Sequence, residues 1–104
     1  MIPASINICG VPYGVMVCPD VFDTDTQHLG EIEYKRCEIR IAADMPEAMQ
    51  MQTLIHEWVH GALFAIGYDE LRSDEKFVQN LAMAIRQTFQ IKENHNADSQ
   101  DQAE

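Results

Sequence analysis

Positive charge is scarce in this sequence: seven Lys and Arg stand against seventeen Asp and Glu among 104 residues, a formal net charge of −10. No basic cluster is present that could neutralise a run of phosphates, which disfavours direct nucleic-acid binding. Long apolar runs are also missing, and none approaches the roughly 20 residues that span a bilayer. The opening MIPASINICG has no basic start followed by an apolar core, so the sequence reads as that of a soluble, unexported protein. The three cysteines, Cys9, Cys18 and Cys37, are odd in number and none forms a Cys-x-x-Cys pair. Neither a disulfide framework nor a cysteine zinc knuckle is signalled, and reduced cytosolic thiols are expected.

What is present is an apolar fraction of 46%, enough for one modest core and one domain. Residues 1–90 are predicted to form it, with residues 91–104 as a disordered acidic tail. In the tail, KENHNADSQDQAE has no apolar periodicity to offset its ordering entropy, and His95 is given no role. The first half reads as strands. INICGVPYGVMVCP has two apolar, β-branched runs around Gly10 and Gly14, a hairpin signal. DVFDTDTQHLG reads as a loop, and EIEYKRCEIRIAAD alternates at Ile32, Tyr34, Cys37, Ile39 and Ile41, with Lys35 and Arg36 at a turn. The charged face of this second strand pair is predicted to be solvated or covered only in part.

The second half reads as helices. Asp44 followed by Glu47 three residues later has the form of a capping box, and Pro46 is tolerated in a first turn, so a helix is predicted from about Met45. Leu54, Ile55, Trp58, Val59, Ala62, Leu63 and Ile66 recur at helical spacing up to Gly67, a natural terminator. After the loop YDELR, Ser73 is the predicted cap of a second helix. Its apolar stripe is Phe77, Val78, Leu81, Ala82, Ile85 and Phe89, and it ends near Gln90. The fold class is therefore α+β: a small twisted, antiparallel-rich sheet followed by two packed helices.

Two of the four histidines lie four residues apart in TLIHEWVHGALFAIG. On a helix, His56 and His60 project from one face and can present two imidazole nitrogens to one ion at the roughly 2.0–2.1 Å that zinc requires. Glu57 is rotated by about 100° from His56, beside the metal, where a carboxylate can hold and deprotonate a water. Catalytic zinc commonly takes three protein ligands, so a third is needed. Asp69, Glu70, Asp74 and Glu75 are the downstream candidates, with Asp20, Asp23 and Asp25 in the early loop more distant. Trp58, on the apolar stripe, is assigned to the core. Tyr68, His28 and Tyr34 are possible polarisers of an oxyanion, and the sequence does not choose among them.

The order of GVPY hairpin, LGEIEY…EIRIAAD, QTLIHEWVHGALFAIG and DEKFVQNLAMAI resembles the small zincins of phages and mobile elements related to the ImmA/IrrE metallopeptidases, over roughly residues 6 to 90. The resemblance implies a gluzincin-like Zn2+ site whose third ligand is a glutamate opening the helix after the motif. Glu75 matches that position, with Asp74 close behind. It further implies a peptidase with Glu57 as general base. A protein or peptide substrate would bind by strand addition near Glu38–Ala43. That substrate could be a repressor or another regulator, in the cytoplasm of a bacterial host. The alternative is a zinc-stabilised, catalytically inactive binding module, such as a phage-encoded adaptor or inhibitor of a host protein; a domain with no metal is the third reading.

Overall fold

The computed structural model describes residues 2–19 and 29–91. The candidates Asp20, Asp23, Asp25 and His28, and the tail from residue 92 onward, lie outside the described residues. The chain is α+β, with four strands followed by helices: β1 (Ser5–Ile8), β2 (Val11–Cys18), β3 (Gly30–Glu33), β4 (Glu38–Ala42), α1 (Glu47–Ile66), α2 (Asp69–Arg72) and α3 (Glu75–Thr88).

The first hairpin turns at Cys9 and Gly10, both at positive φ (49° and 85°). Two such residues form the two-residue turn whose twist matches that of its strands. Ile8 then pairs with Val11, and Gly14 lies inside β2, opposite Ser5. Lys35 and Arg36 sit in the turn between β3 and β4, as the charge break predicts, and Cys37 closes that turn at φ 55°.

Spatial order is β1-β2-β4-β3. The two hairpins are joined by a parallel pairing of β2 with β4, Gly14 opposite Glu38 and Cys18 opposite Ala42, so the sheet is mixed. This corrects the expected docking strand. Glu38–Ala42 is hydrogen-bonded to β2 on one side and to β3 on the other, leaving no free edge for an added strand. Along this side of the sheet the edge belongs to β3.

Ile39 and Ile41 point to one face of β4 and are fully buried with Ile8, Tyr13 and Leu54. Burial of each such side chain contributes roughly 1.5–3 kcal/mol. On the other face Arg40 bonds to Glu31 and to Glu38, all three partly buried. The alternation in EIRIA is thus one face against α1 and one face of ion pairs.

A second core of Ile55, Val59, Leu63, Val78 and Ala82 lies between α1 and α3. Helix α1 is therefore the central layer, and α3 packs only on α1 and α2 among the elements. Trp58 is half-buried against both cores and donates its indole N–H to the Asn7 carbonyl at 2.9 Å, which ties α1 to β1.

Helix boundaries differ from the sequence reading in three places. Pro46, with extended backbone, is the N-cap of α1, and no side chain caps it. A cap at Asp44 would put Met45 in helical conformation directly before a proline, which the proline ring disfavours. Ser73 has helical φ and ψ as the end of α2, a helix the sequence reading left as loop; Asp74, in extended conformation, caps α3 instead and accepts from the Phe77 amide at 3.1 Å. Helix α3 also ends at Thr88, two residues before the expected Gln90. At the C-terminus of α1, Gly67 takes the left-handed conformation as predicted. Bonds from its amide to Phe64 and from Tyr68 to Leu63 complete a Schellman closure. No helix among the described residues is long and apolar enough to cross a membrane.

Candidate metal centre

Four-residue spacing puts His56 and His60 on the flank of α1 between its two buried stripes, with side chains only 21% and 12% exposed. Their rings meet edge-on, centroids 5.0 Å apart. The short α2 turn and the Asp74 cap bring the first turn of α3 alongside, and Glu75 reaches both rings. One carboxylate oxygen lies 3.1 Å from His56 Nε2 and the other 3.2 Å from His60 Nε2. Ligand atoms of His56, His60 and Glu75 all lie within 4.8 Å of one another, the group of this kind found among the described residues.

The other downstream acids go elsewhere. Asp74 is taken up by the α3 cap and Asp69 faces Arg72 at 3.4 Å, while Glu70 is exposed in α2.

Behind His56 stands a residue the sequence reading did not single out. The side-chain oxygen of Gln79, one turn beyond Glu75 on α3, lies 2.7 Å from His56 Nδ1. An amide oxygen only accepts, so in this arrangement Nδ1 carries a proton and Nε2 is the ring nitrogen that faces Glu75. At 3.1 Å from the carboxylate oxygen, Nε2 either donates to it as part of an imidazolium or turns its lone pair to a cation shared with it. Two imidazole nitrogens and a carboxylate suit zinc, and ligand atoms at 2.0–2.1 Å from a tetrahedral ion stand about 3.3 Å apart. Each histidine nitrogen stands about that far from one oxygen of Glu75, 3.1 and 3.2 Å, and the three ligand atoms lie within 4.8 Å of one another.

Glu57 is buried, at 7% exposure. The backbone of β3 passes close to it at Gly30, where a Cβ would stand 3.4 Å from Glu57 Cγ and 2.5 Å from Thr53 Cγ2. Burial pushes the Glu57 carboxyl up to about 7; His56 opposes the rise, and the neighbouring Glu75 and Glu31 add to it. It is thus poised to take or give a proton near neutrality.

These residues line a cavity of about 870 Å³ between β3, α1 and the α2–α3 connection. Of the three oxyanion candidates, Tyr34 lines it, whereas Tyr68 is exposed away from it. Burial raises the pKa of the Tyr34 phenol, Arg72 opposes the rise, and Glu57 and Glu75 contribute to it. The hydroxyl therefore stays protonated and able to donate.

Comparison with protein-family models, with curated proteins and with solved structures finds no match to this chain. The chemistry has to be judged from the cavity itself. Besides Gln79, the sequence reading missed Gly30, whose signal is visible only once β3 is laid on α1, and Arg72, which lay in a stretch read as loop. Gln79 had a findable signal, since it stands four residues after Glu75 on the same helix face.

Proposed function

We propose that the protein is a zinc-dependent metallopeptidase that hydrolyses peptide bonds of a protein substrate. The observation that carries this reading is the meeting of two imidazole nitrogens and a carboxylate beside a second, buried carboxylate in one open cavity. His56, His60 and Glu75 would hold the ion. When bound, zinc polarises a carbonyl and lowers the pKa of water to about 7.

The remaining roles fall to the chain's own side chains. Gln79 holds the His56 ring in the tautomer that leaves Nε2 free. Glu57 takes the proton of the attacking water and returns it to the leaving amine, for which a pKa near 7 suits both directions. The Tyr34 hydroxyl is the donor available to the carbonyl oxygen as negative charge builds on it. An extended peptide would pair with the edge of β3 that is open among the described residues, whose Gly30, Glu31 and Ile32 line the cavity. A repressor or another regulatory protein is the substrate class suggested by the likeness to phage zincins.

Metal analysis by mass spectrometry of untagged protein tests the site. One zinc per chain is expected, lost in His56→Ala, weakened in Glu75→Ala and retained in Glu57→Gln, with turnover abolished in the last. Zinc retained together with full function in Glu57→Gln would favour the binding-module reading, and protein that takes up no zinc would end both.

A further inference from the structure

Among the described residues, Arg72 is the one lysine or arginine lining the cavity, whose other acidic and basic walls are Glu31, Glu57 and Glu75. It closes α2, three residues before the candidate ligand Glu75, so the same turn carries both into the cavity.

The fold uses the guanidinium only in part: the Tyr34 hydroxyl and the Asp69 carboxylate face it, and two aromatic rings lie beside it. Tyr34 and Phe64 stack at 4.1 Å between centroids, and the guanidinium carbon lies 5.6 Å from one ring and 5.5 Å from the other. Both distances fall within the roughly 6 Å over which a cation is attracted to an aromatic ring, at the long end of that range. Its ion pair with Asp69 is long, at 3.4 Å, and Asp69 is largely exposed. Arg72 Nε is shielded from solvent and has no hydrogen-bond partner among the described residues.

A buried donor without a partner is costly to a fold, and such a group calls for an explanation. A guanidinium offers five N–H donors in a planar fork that matches a carboxylate. We propose that Arg72 is a specificity-determining residue that receives a carboxylate of the substrate, either the C-terminal carboxylate of a peptide or an acidic side chain near the scissile bond. The inference rests on the metallopeptidase reading for its substrate, though not for the anion site. It also answers a problem of charge: a chain of net charge −10 repels an acidic peptide, and a fixed cation inside the cavity supplies the local attraction.

Two measurements test it. The first follows the Arg72 Nε–H resonance of metal-free protein during titration with sodium acetate, against sodium chloride at equal ionic strength. A saturable shift with acetate alone is expected, and its absence overturns the proposal. The second uses zinc-loaded Glu57→Gln protein, which leaves peptides uncut. It compares acetyl-Ala-Phe-Ala as free acid and as amide, and acetyl-Ala-Phe-Glu amide with its Gln counterpart. In one of the two pairs the carboxylate member is expected to bind at least tenfold more tightly, and which pair does so identifies the source. The preference should fall toward one in Arg72→Gln and recover only in part in Arg72→Lys, which keeps the charge and loses the fork. A preference unchanged in Arg72→Gln would assign the carboxylate to the metal and overturn the proposal. An acetate response without any peptide binding would sustain the anion site and count against the peptidase reading.

Discussion

At Glu57 the burial that raises proton affinity also works against the fold once the carboxyl ionises. The unfolded chain loses this proton near pH 4.5, whereas the folded chain holds it to about pH 7. Across that window the folded state binds more protons, so its stability falls as the pH rises. Full ionisation corresponds to roughly 3 kcal/mol. Chelator-treated Glu57→Gln is accordingly expected to resist urea better than the chelator-treated parent at pH 8, and to lose most of that advantage at pH 5. Equal stabilities at pH 8 would mean that the carboxyl is not held out of water. At Gln79 the effect passes through His56, whose Nδ1 lies 2.7 Å from its side-chain oxygen. Gln79→Leu should weaken zinc binding about ten- to a hundredfold in competition with a chromophoric chelator, with one ion per chain still bound at saturation. An unchanged affinity would show that ring orientation is set by packing alone.

The helix pair was the most legible element of the sequence and the sheet the least. Apolar residues from Leu54 to Leu63 and from Val78 to Ile85 recur at a local period, and local periods survive folding. Glu75 was singled out by the resemblance to small zincins, not by the periodicity, and the structure sets it against His56 and His60. The pairing of β2 with β4 joins residues 24 apart, such as Gly14 and Glu38, and no local spacing reports it. The resemblance put the docking strand near Glu38–Ala43, and this pairing sets Glu38–Ala42 inside the sheet. Caps were misread by one or two residues, because Ser73 and Asp74 both carry capping side chains and only backbone conformation decides between them. Asp74→Ala should cost about 1 kcal/mol in denaturant unfolding, the usual value of such a cap, and leave zinc stoichiometry intact. Loss of the metal in that variant would make Asp74 a ligand and contradict its assignment as a cap.

Seen as a whole, the molecule has one central layer, α1, that serves two neighbours of unequal attachment. The sheet is knitted to α1 through a core of its own and through Trp58, while α3 rests on α1 and the short α2. Its hold is the apolar seam of Val78 and Ala82 against Ile55, Val59 and Leu63, with Phe77 and Ile85 beside it, together with the polar contacts of Glu75 and Gln79. Such an arrangement behaves as a body with a latch. In metal-free protein, amide hydrogens of Glu75–Thr88 are expected to exchange through local opening at rates well above those of β2 and β4, and zinc should slow the helix while leaving the strands unchanged. Uniform slowing everywhere would mean that the chain opens only as one unit. If the latch is real, the ion that serves the chemistry also decides whether the wall of the cavity is shut, and metal supply becomes a control on access to the site.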